Sequence, residues 1–353
     1  MTNPKMNETG TIQAPWENGL FFIAEAGVNH NGDVGLAKEL VDAAAEAKAD
    51  AVKFQTWKPG ELTGKFAFKV GYLEETTDNA ESRYELSNRL ALPYDDFREI
   101  KAYADKRGIL FLSTPDGFES LDFLVNELDM PYIKVGSTEV THVQFLEAVG
   151  KMQRPVILST GLSNLNEIEK AVAAVMRHAA PPLAVLQCTS EYPAPDEEIN
   201  VLAMKTIADA LSLPVGFSDH SRGMTAAIMA ATMGAQVIEK HFTLDKKMQG
   251  PDHLASMEPQ ELSTLISAVK SVVTLMGNGV KTPTPSELRN MTGIRRSVVA
   301  AEAIPAGTVL TSAMLTCKRP GTGILPEDLD SIVGKKTTRD LADDEPLSWN
   351  DVQ

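Results

Sequence analysis

PVGFSDHSRGMTAAIMAATMGAQVIEKHFT (214–243) reads as one complete strand–helix–strand repeat. Two short apolar runs, 214–220 and 237–243, flank an Ala- and Met-rich helical stretch at 223–232. Each run turns polar towards its end, with Ser218, Asp219 and His220 in the first and Glu239, Lys240 and His241 in the second. A strand covered by helices on both faces should be apolar throughout. Polarity gathered at strand ends therefore marks the edge that carries chemistry. The same rhythm runs upstream, with strands expected at 21–27, 51–56, 109–115, 132–137, 156–161 and 183–189. Helices are expected between them at 34–47, 94–106, 117–128, 142–150, 164–177 and 200–210, and a last one at 259–275. Eight strand–helix units are the number that closes a parallel barrel. An open doubly wound sheet is the alternative. Residues 27–32 after the first strand read GVNHNG, however, and lack its Gly-rich fingerprint. The expected class is α/β, a TIM (β/α)8 barrel over 21–276.

Around this barrel the composition changes. Residues 1–20 are polar and turn-rich and read as a loose arm, and 57–93 form a long acidic excursion of the kind that serves as a lid. GNGVKTPTPSELRNMTGI (277–294) reads as a linker. Residues 295–353 show short strands and turns, a small β-rich domain that buries little core and should dock on another surface.

The chain of 353 residues carries 33 bases against 48 acids, a net charge of −15. That excludes nucleic acid as a partner, because binding it requires basic surface. An anionic substrate would have to be held by a few local bases. Two cysteines, Cys188 and Cys317, suit a reducing cytosol. No apolar run is long enough for a membrane helix, and the N-terminus lacks a signal-peptide core, so a cytoplasmic protein is expected.

Strand alternation puts Ser218 and His220 on one face and Glu239 and His241 on one face of the neighbouring strand. Both imidazoles can then reach one metal ion, with Asp219 available to orient a ligand histidine. No third His or Cys is in register, which points away from a closed structural zinc site and towards an open catalytic ion. Barrel closure sets Glu25 beside His241, where a carboxylate can exchange protons with substrate or pair with a lysine. Lys53 and Lys134 face a mouth rich in Ser and Thr, the makings of a phosphate or carboxylate site. A Schiff-base lysine and a structural ion pair are the alternatives. Asp252 and His253 lie in a loop that can cap the mouth, and His30 can line the rim or cap the first helix.

A set of motifs then falls in order: IAEAGVNHNG (23–32), AVKFQT (51–56), STP (113–115), YIKVGS (132–137), ILSTG (157–161), CTSEYPAP (188–195), GFSDHS (216–221), IEKHFTLD (238–245), GPDHLASMEP (250–259), RRSVVA (295–300) and KRPGTGI (318–324). With these the chain resembles the bacterial sialic acid synthases, phosphoenolpyruvate-dependent nonulosonate synthases, and its C-terminal part resembles their antifreeze-like (SAF) domain. The resemblance implies that phosphoenolpyruvate condenses with N-acetylmannosamine, giving N-acetylneuraminate and phosphate. Legionaminate or pseudaminate synthesis from a diacetamido-trideoxy hexose is the alternative, with an aldolase further off. It implies a divalent ion, manganese first and magnesium or cobalt as substitutes, on His220 and His241, with Glu239 supporting them. Phosphoenolpyruvate would be held by Lys53, Lys134, Thr114, Ser137, Ser159, Ser190 and Ser218. The sugar would meet Glu25, Gln55, Tyr192 and Asp252, and Arg319 would reach it from the partner subunit of a domain-swapped homodimer. Ser190 stands where neuraminate-forming members often carry Asn.

Overall fold

The computed structural model describes residues 12–353. Eight parallel strands form one curved sheet: β1 (Phe21–Gly27), β2 (Ala51–Thr56), β3 (Leu110–Pro115), β4 (Ile133–Val135), β5 (Val156–Ser159), β6 (Leu183–Cys188), β7 (Val215–Asp219) and β8 (Val237–His241). The ladder runs β3-β2-β1-β8-β7-β6-β5-β4, so the first strand pairs with the last, and β3 and β4 pack side by side at the remaining seam. The fold is the TIM-type barrel. β4 is three residues long because the backbone turns into a 3-10 helix at Ser137–Glu139 as it leaves the sheet.

Helices at Val34–Glu46, Tyr94–Arg107, Val143–Lys151, Leu165–Met176, Ala203–Leu211, Thr225–Thr232 and Pro259–Met276 cover the outside of the sheet. Their buried stripes, such as Leu40, Val41 and Ala44 in the first, pack on outward strand residues such as Phe22 and Val52. Asp33 starts that first helix by accepting hydrogen bonds from the Gly35 and Leu36 amides.

Three parts differ from the reading of the sequence. The first eleven residues of the expected arm lie outside the described residues, but its second half is no loose arm: Ile12, Ala14 and Trp16 are buried in the barrel core. Apolar side chains override the turn-rich composition there. The 57–93 excursion holds two helices, Gly71–Thr76 and Arg83–Leu90, around a small core of Val28, Trp57, Leu73, Leu86 and Leu90. Within the stretch read as a linker, Pro285–Ile294 is a helix, started by a Thr284/Glu287 capping box.

The chain divides after Gly277 into two compact units. In the second, β9 (Ser297–Ala300) pairs antiparallel with β10 (Leu315–Lys318) over a core that includes Val298, Leu310, Ile324 and Leu347. Among the described residues no helix is long and apolar enough to cross a membrane.

Candidate active site

At the C-terminal ends of the barrel strands a cavity of about 390 Å3 opens. Thirteen of the expected site residues line it: Glu25, Lys53, Gln55, Thr114, Lys134, Ser137, Ser159, Ser190, Tyr192, Ser218, His220, Glu239 and His241. Period-2 alternation places those on the strands, since every second strand residue faces the lumen, while Ser137, Ser190, Tyr192 and His220 follow soon after strand ends. The remaining two are elsewhere. Asp252 lies in an adjoining pocket beside Gln55 and Tyr192, its Oδ2 3.8 Å from His241 Nδ1. Arg319 belongs to the second unit, at a cis bond to Pro320 in a loop that Ser297 pins through Pro320 O and the Gly323 amide.

Charges in the mouth form one connected group. Lys53 Nζ lies 2.9 Å from Glu25 Oε2 and 3.7 Å from Glu239 Oε2, and donates to Thr114 Oγ1 at 2.8 Å. Lys134 Nζ lies 3.4 Å from Glu239 Oε1 and donates to Ser159 Oγ at 2.8 Å. Ser218 also donates to Glu239 Oε1, and Gln55 to Glu25 Oε1. Both lysines thus have carboxylate partners and still line the cavity. Burial pushes the Glu25 carboxyl up to about 7 against the pull of Lys53. Burial also pushes Glu239 up, but Lys134, Lys53 and His220 outweigh it and hold this carboxyl below its ordinary range. Gly161 closes one side of the cradle, its amide donating to Ser137 Oγ at 2.9 Å. A Cβ at Gly161 would sit 2.1 Å from Ser190 Oγ, so no other residue fits without moving that serine.

The two histidine rings stand 5.3 Å apart. His220 Nδ1–H donates to Thr189 O at 2.7 Å, which leaves Nε2 as the lone-pair nitrogen. His241 Nδ1 is buried without a hydrogen-bond partner, and burial, with His220 and Lys53 nearby, holds this ring neutral. Two imidazoles facing one polar cavity, that of His241 held neutral, fit a divalent ion once His220 gives up its proton to it. Among the described residues no group of three or more His, Cys, Asp or Glu converges to hold one, so other positions would fall to water and substrate.

Asp219 does not orient a histidine. Its strand neighbours Ser218 and His220 face the lumen, whereas Asp219 faces outwards and pairs with Lys240 at 2.9 Å, fully buried. His30 neither lines the rim nor caps a helix; it is buried and accepts from the Gly32 amide. Its neighbours clasp the loop after β8, Asn29 through Phe242 O and Ser256 Oγ, Asn31 through Gln249 O. That clasp sets the position of Asp252.

Cys188, Asp116, Tyr72 and Arg83 also line the cavity and were not foreseen. Cys188 was within reach: it alternates with Leu186 on β6 and stands in register with Ser218. Tyr72 and Arg83 come from the excursion, where no strand period indicates which side chains turn inwards.

A parallel barrel with paired lysines, hydroxyls and two histidines at its C-terminal mouth defines an α/β-barrel enzyme with a site for an anionic substrate. The sequence profile of the NeuB family matches residues 40–281 and that of the SAF domain residues 295–353. The chain belongs to the NeuB family, the phosphoenolpyruvate-dependent nonulosonate synthases. It is 43% identical to the N,N'-diacetyllegionaminic acid synthase of Campylobacter jejuni subsp. jejuni serotype O:2, over 92% of this chain and 97% of that one. It is 35% identical to the human N-acetylneuraminate-9-phosphate synthase, over 93% and 91%. The crystal structure of the N-acetylneuraminic acid synthetase from Leptospira borgpetersenii serovar Hardjo-bovis, in complex with citrate, superposes with a TM-score of 0.69 at 34% identity, covering 77% of this chain and 90% of that one.

Proposed function

We propose that the chain condenses phosphoenolpyruvate with the diacetamido-trideoxy hexose that leads to legionaminate, releasing phosphate. The sugar preference replaces the N-acetylmannosamine expected from the motifs. Its support is the higher identity to the relative with the legionaminic name than to the two with neuraminic names. Ser190, at a place where neuraminate-forming members often carry Asn, agrees with it.

The reaction class rests on one observation: a lysine–hydroxyl cradle and two histidines open into the same cavity. Lys53 and Lys134, with Thr114, Ser137, Ser159, Ser190 and Ser218, hold the phosphate and carboxylate of phosphoenolpyruvate. The substrate's anionic oxygens take over partners that Glu25 and Glu239 now occupy. C3 of phosphoenolpyruvate forms a bond to the aldehyde carbon of the open-chain sugar. Oxygen from water adds at C2, the C2–O bond to phosphate breaks, and a nine-carbon 2-keto acid results. Glu25, buried and beside His241, moves the proton at the aldehyde oxygen or the attacking water. Gln55, Tyr192 and Asp252 orient the sugar, and Glu239 steadies the lysines and Ser218. His220 and His241 hold a divalent ion, manganese in preference to magnesium or cobalt, which when bound polarises the aldehyde as a Lewis acid. Arg319 completes the site from the second subunit of a domain-swapped homodimer, a reading that rests on the family resemblance.

Phosphate release, followed with phosphoenolpyruvate and a panel of three sugars, tests the assignment. The legionaminate precursor should give the highest kcat/KM. A higher value for N-acetylmannosamine would return the chain to neuraminate formation, and one for the pseudaminate precursor would make it a pseudaminate synthase. No release with any of them would overturn the reaction.

A further inference from the structure

Next to the main cavity lies a smaller pocket of about 150 Å3. Val28, Trp57, Leu62, Leu73, Leu86 and Leu90 make its apolar wall, and it shares Gln55, Tyr72, Arg83 and Tyr192 with the main cavity. Arg83 opens the helix Arg83–Leu90, which the Ser82/Glu85 capping box starts. Within the excursion Trp57 Nε1, just after β2, donates to Ser87 O at 3.1 Å and fixes this helix beside the end of the strand. Arg83 Nη1 is buried and has no hydrogen-bond partner. A buried donor in that state is costly unless a ligand supplies an acceptor.

The path from the reacting centre to this donor is short. The Tyr192 ring lies 4.1 Å from the His220 ring, and the Tyr72 ring 5.1 Å from Tyr192. An extended sugar with its aldehyde at the histidines passes Tyr192 and ends at Tyr72 and Arg83. What meets it there is the unpartnered Nη1 of the Arg83 guanidinium, beside Tyr72, on an apolar wall. A phosphate would face the carboxylate of Asp252 in the same pocket and would be set against the apolar wall. A terminal hydroxymethyl would be set against leucines. An acylamino group matches both halves of the pocket, with a carbonyl oxygen for the donor and a methyl for the wall.

We infer that Arg83 and this side pocket recognise the second acylamino group of the sugar, the one farther from the aldehyde. The inference rests on the diacetamido reading proposed above. The carbonyl oxygen accepts from Arg83 Nη1, and the acyl methyl and the deoxy end of the sugar pack against Leu73, Leu86 and Trp57. Arg83 is then a specificity residue: it touches the part of the substrate that N-acetylmannosamine lacks.

The test compares kcat and KM of the wild type and Arg83→Ala with three sugars: the legionaminate precursor, N-acetylmannosamine and its 6-phosphate. KM for the precursor should rise about 10- to 100-fold, the loss expected for a charge-assisted hydrogen bond. Its kcat should hold, and KM for N-acetylmannosamine should stay within about threefold, since it makes no such bond. Equal losses for the two uncharged sugars would overturn the inference, as would a wild-type preference for the 6-phosphate that Arg83→Ala abolishes. Failure of the wild type to use the precursor at all would overturn the sugar assignment and the inference together. Turnover of the precursor with unchanged selectivity in the variant would overturn the inference alone. Calorimetric binding of phosphoenolpyruvate checks that the variant is folded. If it is not, Arg83→Gln, which keeps length and one amide donor, should show a smaller rise confined to the same sugar, and no rise would overturn the inference.

Discussion

His30 has no accessible surface, and its Nδ1 accepts from the Gly32 amide at 3.0 Å. Burial, the dominant effect, drives its pKa down to about 4 from the ordinary 6.5. The folded state therefore binds fewer protons than the unfolded chain between those values. Its contribution is complete above about 6.5 and is lost as the pH falls towards 4. The size is about 3 kcal/mol at most. Denaturant titrations of wild type and His30→Gln at pH 7 and pH 4.5 should show a smaller acid-induced loss in the variant, and equal losses would refute it. His253, also held at about 4 by burial, adds a slope of the same sign in both proteins. His220 and His241 belong to the chemistry instead. Either one replaced by Ala should abolish turnover and remove manganese binding in calorimetry while the far-ultraviolet circular dichroism is unchanged. Chelation should silence the wild type and added manganese restore it; full activity after exhaustive chelation would exclude the ion. The sequence revealed these two histidines because strand alternation and adjacency are local facts. It could not reveal that Asp219, between Ser218 and His220, faces the other way to a lysine.

That outward pair joins two elements. Asp219 on β7 and Lys240 on β8 are buried together behind the mouth, Asp219 accepting from the Ser221 amide and Lys240 donating to Ser221 O. Lys240→Met leaves a buried carboxylate unpaired and should destabilise the protein by about 3–5 kcal/mol. Asp219→Asn added to it removes the stranded charge and keeps an acceptor for Ser221, and should recover most of that loss. Denaturant midpoints measure both; a double variant as unstable as the single one would show that the pair contributes through packing alone. At this scale the strands and covering helices were legible, because apolar runs separated by helical stretches leave little choice of order. The excursion was not. Its helices bury few residues each, and what orients Tyr72 and Arg83 is tertiary packing of Leu73, Leu86 and Leu90 on Val28 and Trp57.

At the scale of the whole molecule, Pro285–Ile294 follows the same logic. A Pro- and Thr-rich stretch reads as linker, yet Thr284, Pro285 and Glu287 are also a helix-start signal, and the helix forms with no residue buried. If the second unit crosses to another subunit, each active site takes His220 from one chain and Arg319 from the other. Arg319→Ala and His220→Ala should then each be nearly inactive. Mixed and refolded in equal amounts, they should regain about a quarter of wild-type activity, since half the dimers are mixed and each of those has one intact site. No recovery, with subunit exchange verified by mass, would place Arg319 in its own subunit or outside the reaction. The order of motifs made the barrel and the C-terminal domain legible together; which chain completes which site depends on assembly and leaves no local trace. The reaction itself is tested most directly with phosphoenolpyruvate carrying 18O in its C2–O–P bridge and the legionaminate precursor, followed by mass spectrometry of both products. A nine-carbon keto acid with two acetamido groups should form one-for-one with phosphate that carries the label. Unlabelled phosphate, or phosphate without a nine-carbon acid, would contradict the chemistry assigned to this mouth.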